Sequence, residues 1–490
     1  MPRRTSLTLP SHPQSLFLLP PTSFTRVKIG FITLGCDKNT VDSERYLARL
    51  VGRGAEPVTD LATAEVIVVN TCGFIDAAKK ESIDALIEAG RLKEEGSCQA
   101  VVAVGCMVER HKQELLDHLP EVDLFLGSSE MNRLVPELER RGVLGDPTVL
   151  HPGVRVYTGD LPHVRYLKVS EGCDHGCAFC AIPLMRGRHR SFSLDEIVQE
   201  ACELERQGAM EVNLVAQDLA HYGRDLRGSA LGRGVRLPDL LEALLRETSI
   251  PWFRMLYLYS AGLTPRLLDV LARERRITPY LDMPIQHASD SVLERMRRPE
   301  RERTIREKVR RVRDAVPEVA IRTTCIVGFP GETAADFQRL LDFLEEVQFE
   351  RVGAFAYSPQ EGTRAFAMPD DVPEDIKAER LERLLDLQRA VTAERYERFV
   401  GKRTRGIIDR RGNTLEARAV WQADDIDGIT WLEGDAAPGS IVEMTITGTR
   451  DDYDFIATQH CVVATPPRTS PRSRAALPVL SLTSLGSFGR

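Results

Sequence analysis

The chain has 490 residues, 42% of them hydrophobic and 28% charged, an ordinary globular composition with room for about two to four domains. Its 65 Lys and Arg against 72 Asp and Glu leave a net charge of −7, which argues against a surface that coats nucleic acid broadly. No window approaches the roughly 20 consecutive apolar residues of a membrane-spanning helix. The ten cysteines come without a secretory signal, and in a chain of this length they point to metal binding or catalysis in a reducing cytoplasm rather than to a disulfide scaffold.

Residues 1–26 contain no Asp or Glu and carry Pro10, Pro13, Pro20 and Pro21, the composition of a disordered extension. The segment has the acid-free look of a transit peptide, for which an extended start is the simpler reading. Apolar runs at Val27 to Thr33, Glu65 to Asn70 and Ala100 to Gly105 predict strands, and helical patterns such as Ser43 to Val51 lie between them. Alternation of this kind predicts a parallel sheet, giving a Rossmann-like α/β domain over residues 27–141.

The alternation resumes with strands expected at Arg165 to Ser170, Glu211 to Ala216, Trp252 to Leu258, Tyr280 to Ile285, Ala320 to Val327 and Arg351 to Tyr357. Six β/α units without a seventh predict a partial (β/α)6 barrel, residues 159–392. Ser193 and Glu196 form a capping box that opens the first helix, and Gly223 to Arg236 reads as a loop insertion. After Pro373 a long charged helix with Leu381, Leu384, Leu385, Leu387 and Val391 on one side leads to short alternating segments broken by glycines. These predict a small C-terminal β-barrel over residues 395–461, followed by a disordered tail over 464–490.

The strongest chemical signal is Cys173-Asp-His-Gly-Cys177-Ala-Phe-Cys180, at the end of the first strand of the second region. Three thiolates on one loop suit a corner-open four-iron cluster whose fourth iron is free for chemistry. A zinc site is the alternative, needing a fourth ligand such as His175 or His189. Cys36, Cys72 and Cys106 each follow a predicted strand and each adjoins a glycine. Strand carboxyl ends share one edge of a parallel sheet, so these thiols are expected to converge as a second three-thiolate set. Cys202 and Cys325 read as core packing, while Cys98, which precedes its strand, and Cys461 fit neither set.

The CxxxCxxC run followed by β/α units resembles the radical S-adenosylmethionine superfamily. Together with Gly35-Cys-Asp-Lys-Asn-Thr-Val-Asp-Ser-Glu44, Asn70-Thr-Cys-Gly-Phe-Ile75 and Arg322-Thr-Thr-Cys-Ile-Val-Gly-Phe-Pro-Gly-Glu-Thr333, the chain from about 27 to 461 is similar to the methylthiotransferases, whose C-terminal β-barrel is of the kind called TRAM. The resemblance implies two 4Fe-4S clusters, a radical-generating one on Cys173, Cys177 and Cys180 and an auxiliary one on Cys36, Cys72 and Cys106, with S-adenosylmethionine as cofactor and an external electron donor. It also implies that a 5′-deoxyadenosyl radical removes a hydrogen from substrate carbon, that sulfur comes from the auxiliary site, and that a second S-adenosylmethionine supplies the methyl group. Candidate S-adenosylmethionine contacts are Gln217 and Asp218 after the second strand and Gly328 and Glu332 after the fifth, with Asp282, Gln286 and His287 as similar candidates at the fourth.

Members of this family act on a tRNA adenosine or on an aspartate of small-subunit ribosomal protein S-twelve. The Cys36 to Glu44 run, the Asn-Thr-Cys-Gly-Phe-Ile segment, Ser170-Glu171-Gly172 and Val215-Ala-Gln-Asp218 are similar to the protein-modifying branch, although Asp37 stands where that branch usually has Pro. Between Gly401 and His460 seven basic residues meet eleven acidic ones, a net −4. A module that grips phosphates should be basic, whereas an acidic one suits a basic ribosomal protein. The chain is therefore expected to be a cytoplasmic, monomeric enzyme acting on that protein, with tRNA adenosine methylthiolation as the alternative.

Overall fold

The computed structural model describes residues 26–144, 155–226 and 234–467. Residues 1–25, 468–490 and 227–233, which cover most of both expected tails and the middle of the Gly223 to Arg236 loop, lie outside the described residues.

The first sheet has five parallel strands, ordered Glu56–Val58, Lys28–Thr33, Val66–Thr71, Ala100–Gly105 and Leu124–Gly127. The central strands Val-Ile-Val-Val-Asn-Thr and Ala-Val-Val-Ala-Val-Gly are buried along their whole length, as a sheet covered by helices on both faces requires. The two outermost strands are too short to show a period, and the sequence pattern missed both. The first helix runs Asp37–Val51, not from Ser43. Its opening turns bury Lys38, Asn39, Asp42, Ser43 and Glu44. Apart from Val41, which enters an apolar cluster, hydrogen bonds and ion pairs hold this part, so hydrophobic periodicity does not register it.

The second sheet carries the six expected parallel strands in chain order across an open sheet: Val164–Lys168, Glu211–Val215, Trp252–Met255, Ile277–Asp282, Ala320–Val327 and Arg351–Ala356. Leu167, Val212, Leu214, Phe253, Leu281 and Ile321 are buried between sheet and helices, each side chain contributing about 1.5–3 kcal/mol by burial. Most of these strands match the expected ranges to within two residues, and two differ by three. The third strand stops at Met255 because Tyr257 takes φ 61°, and the fourth spans Ile277–Asp282 rather than Tyr280 to Ile285. Gln286, at φ 72°, still bridges to Cys325 and keeps this segment beside its neighbour.

The Ser193 capping box forms: Glu196 N donates to Ser193 Oγ at 3.3 Å and Ser193 N donates to Glu196 Oε2 at 2.9 Å. The long helix Glu374–Glu397 leads into a closed barrel of Arg403–Arg411, Leu415–Ala419, Thr430–Glu433, Ile441–Arg450 and Asp454–Ala464. Phe399 stacks on Trp421 at 4.0 Å and Tyr396 on Phe455 at 4.5 Å, joining the helix end to the barrel core. Buried charge fixes the barrel against the six-stranded sheet: Arg418 pairs with Asp409 and with Glu211, both at 2.6 Å, and Glu211 also accepts from Arg254 at 2.8 Å. Removing one partner of such a network typically costs about 3–5 kcal/mol. Among the described residues no helix is long and apolar enough to cross a membrane.

Candidate active site: two cysteine sets at one seam

Each thiol of the first set sits at the carboxyl end of its strand. Cys36 caps the helix Asp37–Val51 and Cys106 opens the helix Cys106–His118, so two of the three lie where a helix dipole favours a thiolate. Cys72 directly follows its strand, and its backbone N–H and C=O both bond Ser82 Oγ, at 2.9 and 3.0 Å. Gly35, at φ 92°, passes so close that a Cβ there would lie 2.8 Å from Cys72 Sγ. Gly105, at φ 102°, has Asn70 Oδ1 2.4 Å from the same virtual atom. Burial, with Cys36 nearby, pushes the Cys72 thiol up to about 11. Burial pushes Cys106 up to about 12 against the opposing pull of Arg186, with Cys36 and Cys72 adding to the rise.

The second set sits on a loop bracketed by the antiparallel pair Ser170–Glu171 and Arg190–Ser191. The loop is pinned by backbone bonds, Cys173 N to Gly187 O at 3.1 Å and Ala178 N to Met296 O at 2.9 Å. Arg298 points its Nη1 at Cys177 Sγ from 3.7 Å while its face covers Tyr259 at 4.1 Å. Tyr259 Oη and Ser260 Oγ donate to Glu300 at 2.9 and 2.7 Å, and Glu300 stands 3.5 Å from Arg298. Burial pushes Cys173 up to about 11 and Cys180 to about 12.

The two sets are neighbours. Cys106 packs in one small apolar cluster with Ala181, the residue after Cys180, and with Met185. Around this contact Lys168 bonds Asp42 across the seam and, at 2.6 Å, Glu171 on its own side, where Gln217 Nε2 also donates to Glu171 Oε1 at 3.1 Å. Burial opposes ionisation of Asp42, yet Lys168 and Arg186 hold its carboxyl down at about 2. Lys38 Nζ lies 3.2 Å above the Tyr257 ring, a further contact across the seam.

The donor sets fit clusters better than single ions. A tetrahedral zinc with bonds of about 2.3 Å needs thiolates roughly 3.8 Å apart, whereas among the described residues the one set of three ligating atoms within 4.8 Å is His175, Asp218 and His221. Neither cysteine set is drawn that tight, so a larger polynuclear centre suits both. Of the two rings offered as a fourth zinc ligand, His175 turns Nε2 to Asp218 at 2.8 Å and His189 turns Nε2 to Ser191 Oγ at 3.1 Å.

The other candidates frame the same sheet edge. Asp218 takes the N–H groups of Ala220 and Tyr259 on Oδ1, at 2.8 and 3.1 Å. Glu332 accepts from Gly328 N at 2.8 Å and pairs with Arg380 at 2.9 Å, so it closes the loop that Gly328 opens. Asp282 is occupied by Arg322 at 3.0 Å, and His287 Nε2 lies 3.6 Å from Glu332. Gln217 Oε1 and Ser170 Oγ are buried with no hydrogen-bond partner among the described residues, two polar atoms suited to a polar ligand. Cys325 is buried in its strand, and Cys98 bonds Ala100 O at the opposite end of its strand from Cys106. The sequence assigned no site role to Arg186, Arg298, Asn39 or Glu171, although Asn39 and Glu171 stand in the motifs quoted above, because nothing local shows which strand end a polar side chain will reach.

Two family models match the chain: "Uncharacterized protein family UPF0004" over residues 28–127 and "Radical SAM superfamily" over residues 167–344. Curated relatives named ribosomal protein uS12 methylthiotransferase RimO include one from Anaeromyxobacter sp. (strain Fw109-5), 44% identical over 89% of this chain and 93% of its own length. Those from Geobacter sulfurreducens and Moorella thermoacetica are each 40% identical, over 88% of this chain and 98% and 99% of their own lengths. Among solved structures, the radical S-adenosylmethionine methyltransferase TsrM from Kitasatospora setae shares the fold, with TM-score 0.50 and 14% identity over 67% of this chain and 73% of that one. A chain so alike along its length, with both cysteine sets at strand ends, belongs to the family of radical S-adenosylmethionine enzymes whose curated members are named ribosomal protein uS12 methylthiotransferase RimO.

Proposed function

We propose that the chain inserts sulfur and a methyl group at the β-carbon of an aspartate of ribosomal protein uS12. The observation that carries this reading is the packing of Cys106 against Ala181, which sets two three-thiol groups at one seam. Clusters held by Cys36, Cys72 and Cys106 and by Cys173, Cys177 and Cys180, with S-adenosylmethionine bound at the latter, would supply a hydrogen-abstracting radical and a transferable sulfur. The chain's own residues position and shield. Arg298, steadied by Glu300 and Tyr259, presents a cation to Cys177. Gln217 and Asp218, with Gly328 and Glu332, shape the edge at which the nucleoside cofactor would lie. Ala178, Ala181 and Phe329 are buried beside the second set and wall one side of it, while its three cysteines stay partly exposed.

The division into a cluster domain over 27–141, a radical core over 159–392 and a TRAM-like barrel over 395–461 belongs to this proposal. So do monomeric action in the cytoplasm and a separate electron donor. Three of the barrel's acids, Asp409, Asp424 and Asp427, turn inward with Arg418, toward His163, Tyr166 and Arg351. Six basic and eight acidic residues are left for the rest of the module, a balance that supports a basic protein substrate. The test is anaerobic reconstitution, reduction with S-adenosylmethionine, and mass analysis of both uS12 and bulk tRNA. A methylthio mass gain on uS12 is expected; a gain confined to tRNA nucleosides contradicts the reading.

A further inference from the structure

Arg186 ends the short helix Ile182–Arg186 that follows the second cysteine set, yet its guanidinium lies among residues of the first domain. Nε donates to Cys106 Sγ at 3.0 Å, Nη1 to Asp42 Oδ2 at 2.6 Å, and Nη2 to Asn39 Oδ1. The Asn39 amide then donates to Leu34 O at 2.7 Å and Thr71 O at 3.2 Å, two residues before Cys36 and one before Cys72. One side chain from the radical core therefore contacts one thiol of the first set directly and the backbone leading to the other two through a single amide. It is 5% exposed, so little solvent weakens these bonds.

We propose that Arg186 is a positioning residue that both seats the cluster held by Cys36, Cys72 and Cys106 and raises its reduction potential. This rests on the assignment of those three cysteines as ligands. An N–H donated to a ligating sulfur withdraws electron density from it and favours the reduced cluster, and a fixed guanidinium does so in a direction a mobile ammonium does not match. Asp42 keeps the guanidinium aimed and offsets part of its charge.

The full chain carrying Cys173→Ala, Cys177→Ala and Cys180→Ala isolates the first cluster, whose potential is read by redox titration followed by electron paramagnetic resonance. Adding Arg186→Gln is expected to lower the ratio of reduced to oxidised cluster about tenfold at a fixed potential, ~59 mV for one electron. Arg186→Lys, which keeps the charge and loses the planar fork, is expected to lie between, about threefold below the parent. A tenfold fall with an intermediate lysine value supports the proposal, while an unmoved potential in Arg186→Gln overturns it. Should the glutamine variant fail to fold, a lysine variant equal to the parent overturns it as well. A parent chain that takes up no iron overturns the ligand assignment and the proposal together.

Discussion

Cys173, Cys177 and Cys180 arrive on one loop, whereas Cys36, Cys72 and Cys106 arrive from three strands and must wait for the sheet to assemble. The loop carries all three thiols in one stretch of chain, tethered by backbone bonds to Gly187 nearby and Met296 far along the chain and reached by Arg298. The distributed set needs correct strand order, glycines at positive φ beside the thiols, and a guanidinium from the other domain. A set borne on one loop is expected to tolerate modest damage to the sheet better than one drawn from three strands. The comparison also suggests why the two are joined: the seam that completes the distributed set is the one that brings it to the local set.

Cys180→Ala is the harshest way to break the comparison. It is expected to remove all deoxyadenosine formation and all methylthiolation and to lower iron from about eight to about four per chain, as read by product chromatography and iron assay. Cys72→Ala should separate the sets more cleanly. Deoxyadenosine formation persists while the methylthio mass gain on uS12 disappears, and loss of both activities would argue against separate roles.

Gly35→Val attacks the distributed set without touching a thiol. A Cβ at this φ meets Cys72 Sγ at 2.8 Å, so the variant is expected to lose the iron of that set, keep the other, and unfold with a penalty of about 1–3 kcal/mol. Iron retained at the parent level would show that the loop can give way. Asp42→Asn probes the seam. Its folded carboxyl lies at about 2 against an ordinary 3.8, so its ionised form stabilises the fold above pH 4 and that contribution is lost as pH falls through about 2. At pH 7 the substitution is expected to cost roughly 2 kcal/mol, measured by denaturant unfolding of the cluster-free chain.

The smallest effect lies at the barrel, away from both sets. Burial raises the Asp424 carboxyl to about 7, against the opposing pull of Arg418, while Tyr166 Oη and Asn213 Nδ2 donate to it. The folded chain thus holds a proton that the unfolded chain has released between about pH 4 and 7. Stability falls as pH rises through that window. Asp424→Asn should therefore raise the melting temperature at pH 8 and leave it unchanged near pH 4, with deoxyadenosine formation intact. An equal gain at both pH values would show that the carboxyl is not held protonated.

The sequence made the six-stranded core legible because its strands are long apolar runs separated by amphipathic helices. It placed both cysteine sets for the same reason, since strand ends could be read from those runs. What it hid was polar and distant. The opening turns of the first helix look like surface, yet they bury Lys38, Asn39 and Asp42 because a second domain covers them. Glu56–Val58 and Leu124–Gly127 were too short to carry a period. Arg186 has no local mark of its role, and only the folded chain shows its guanidinium beside Cys106.

The account stands on two separate clusters, one for each set of three thiols. Mössbauer spectroscopy of iron-reconstituted chains tests this most directly, comparing the parent with variants in which either set is replaced by alanine. Two four-iron clusters in the parent and one in each variant is the predicted result. Loss of all iron when either set is removed, or a parent holding a single cluster, would contradict it.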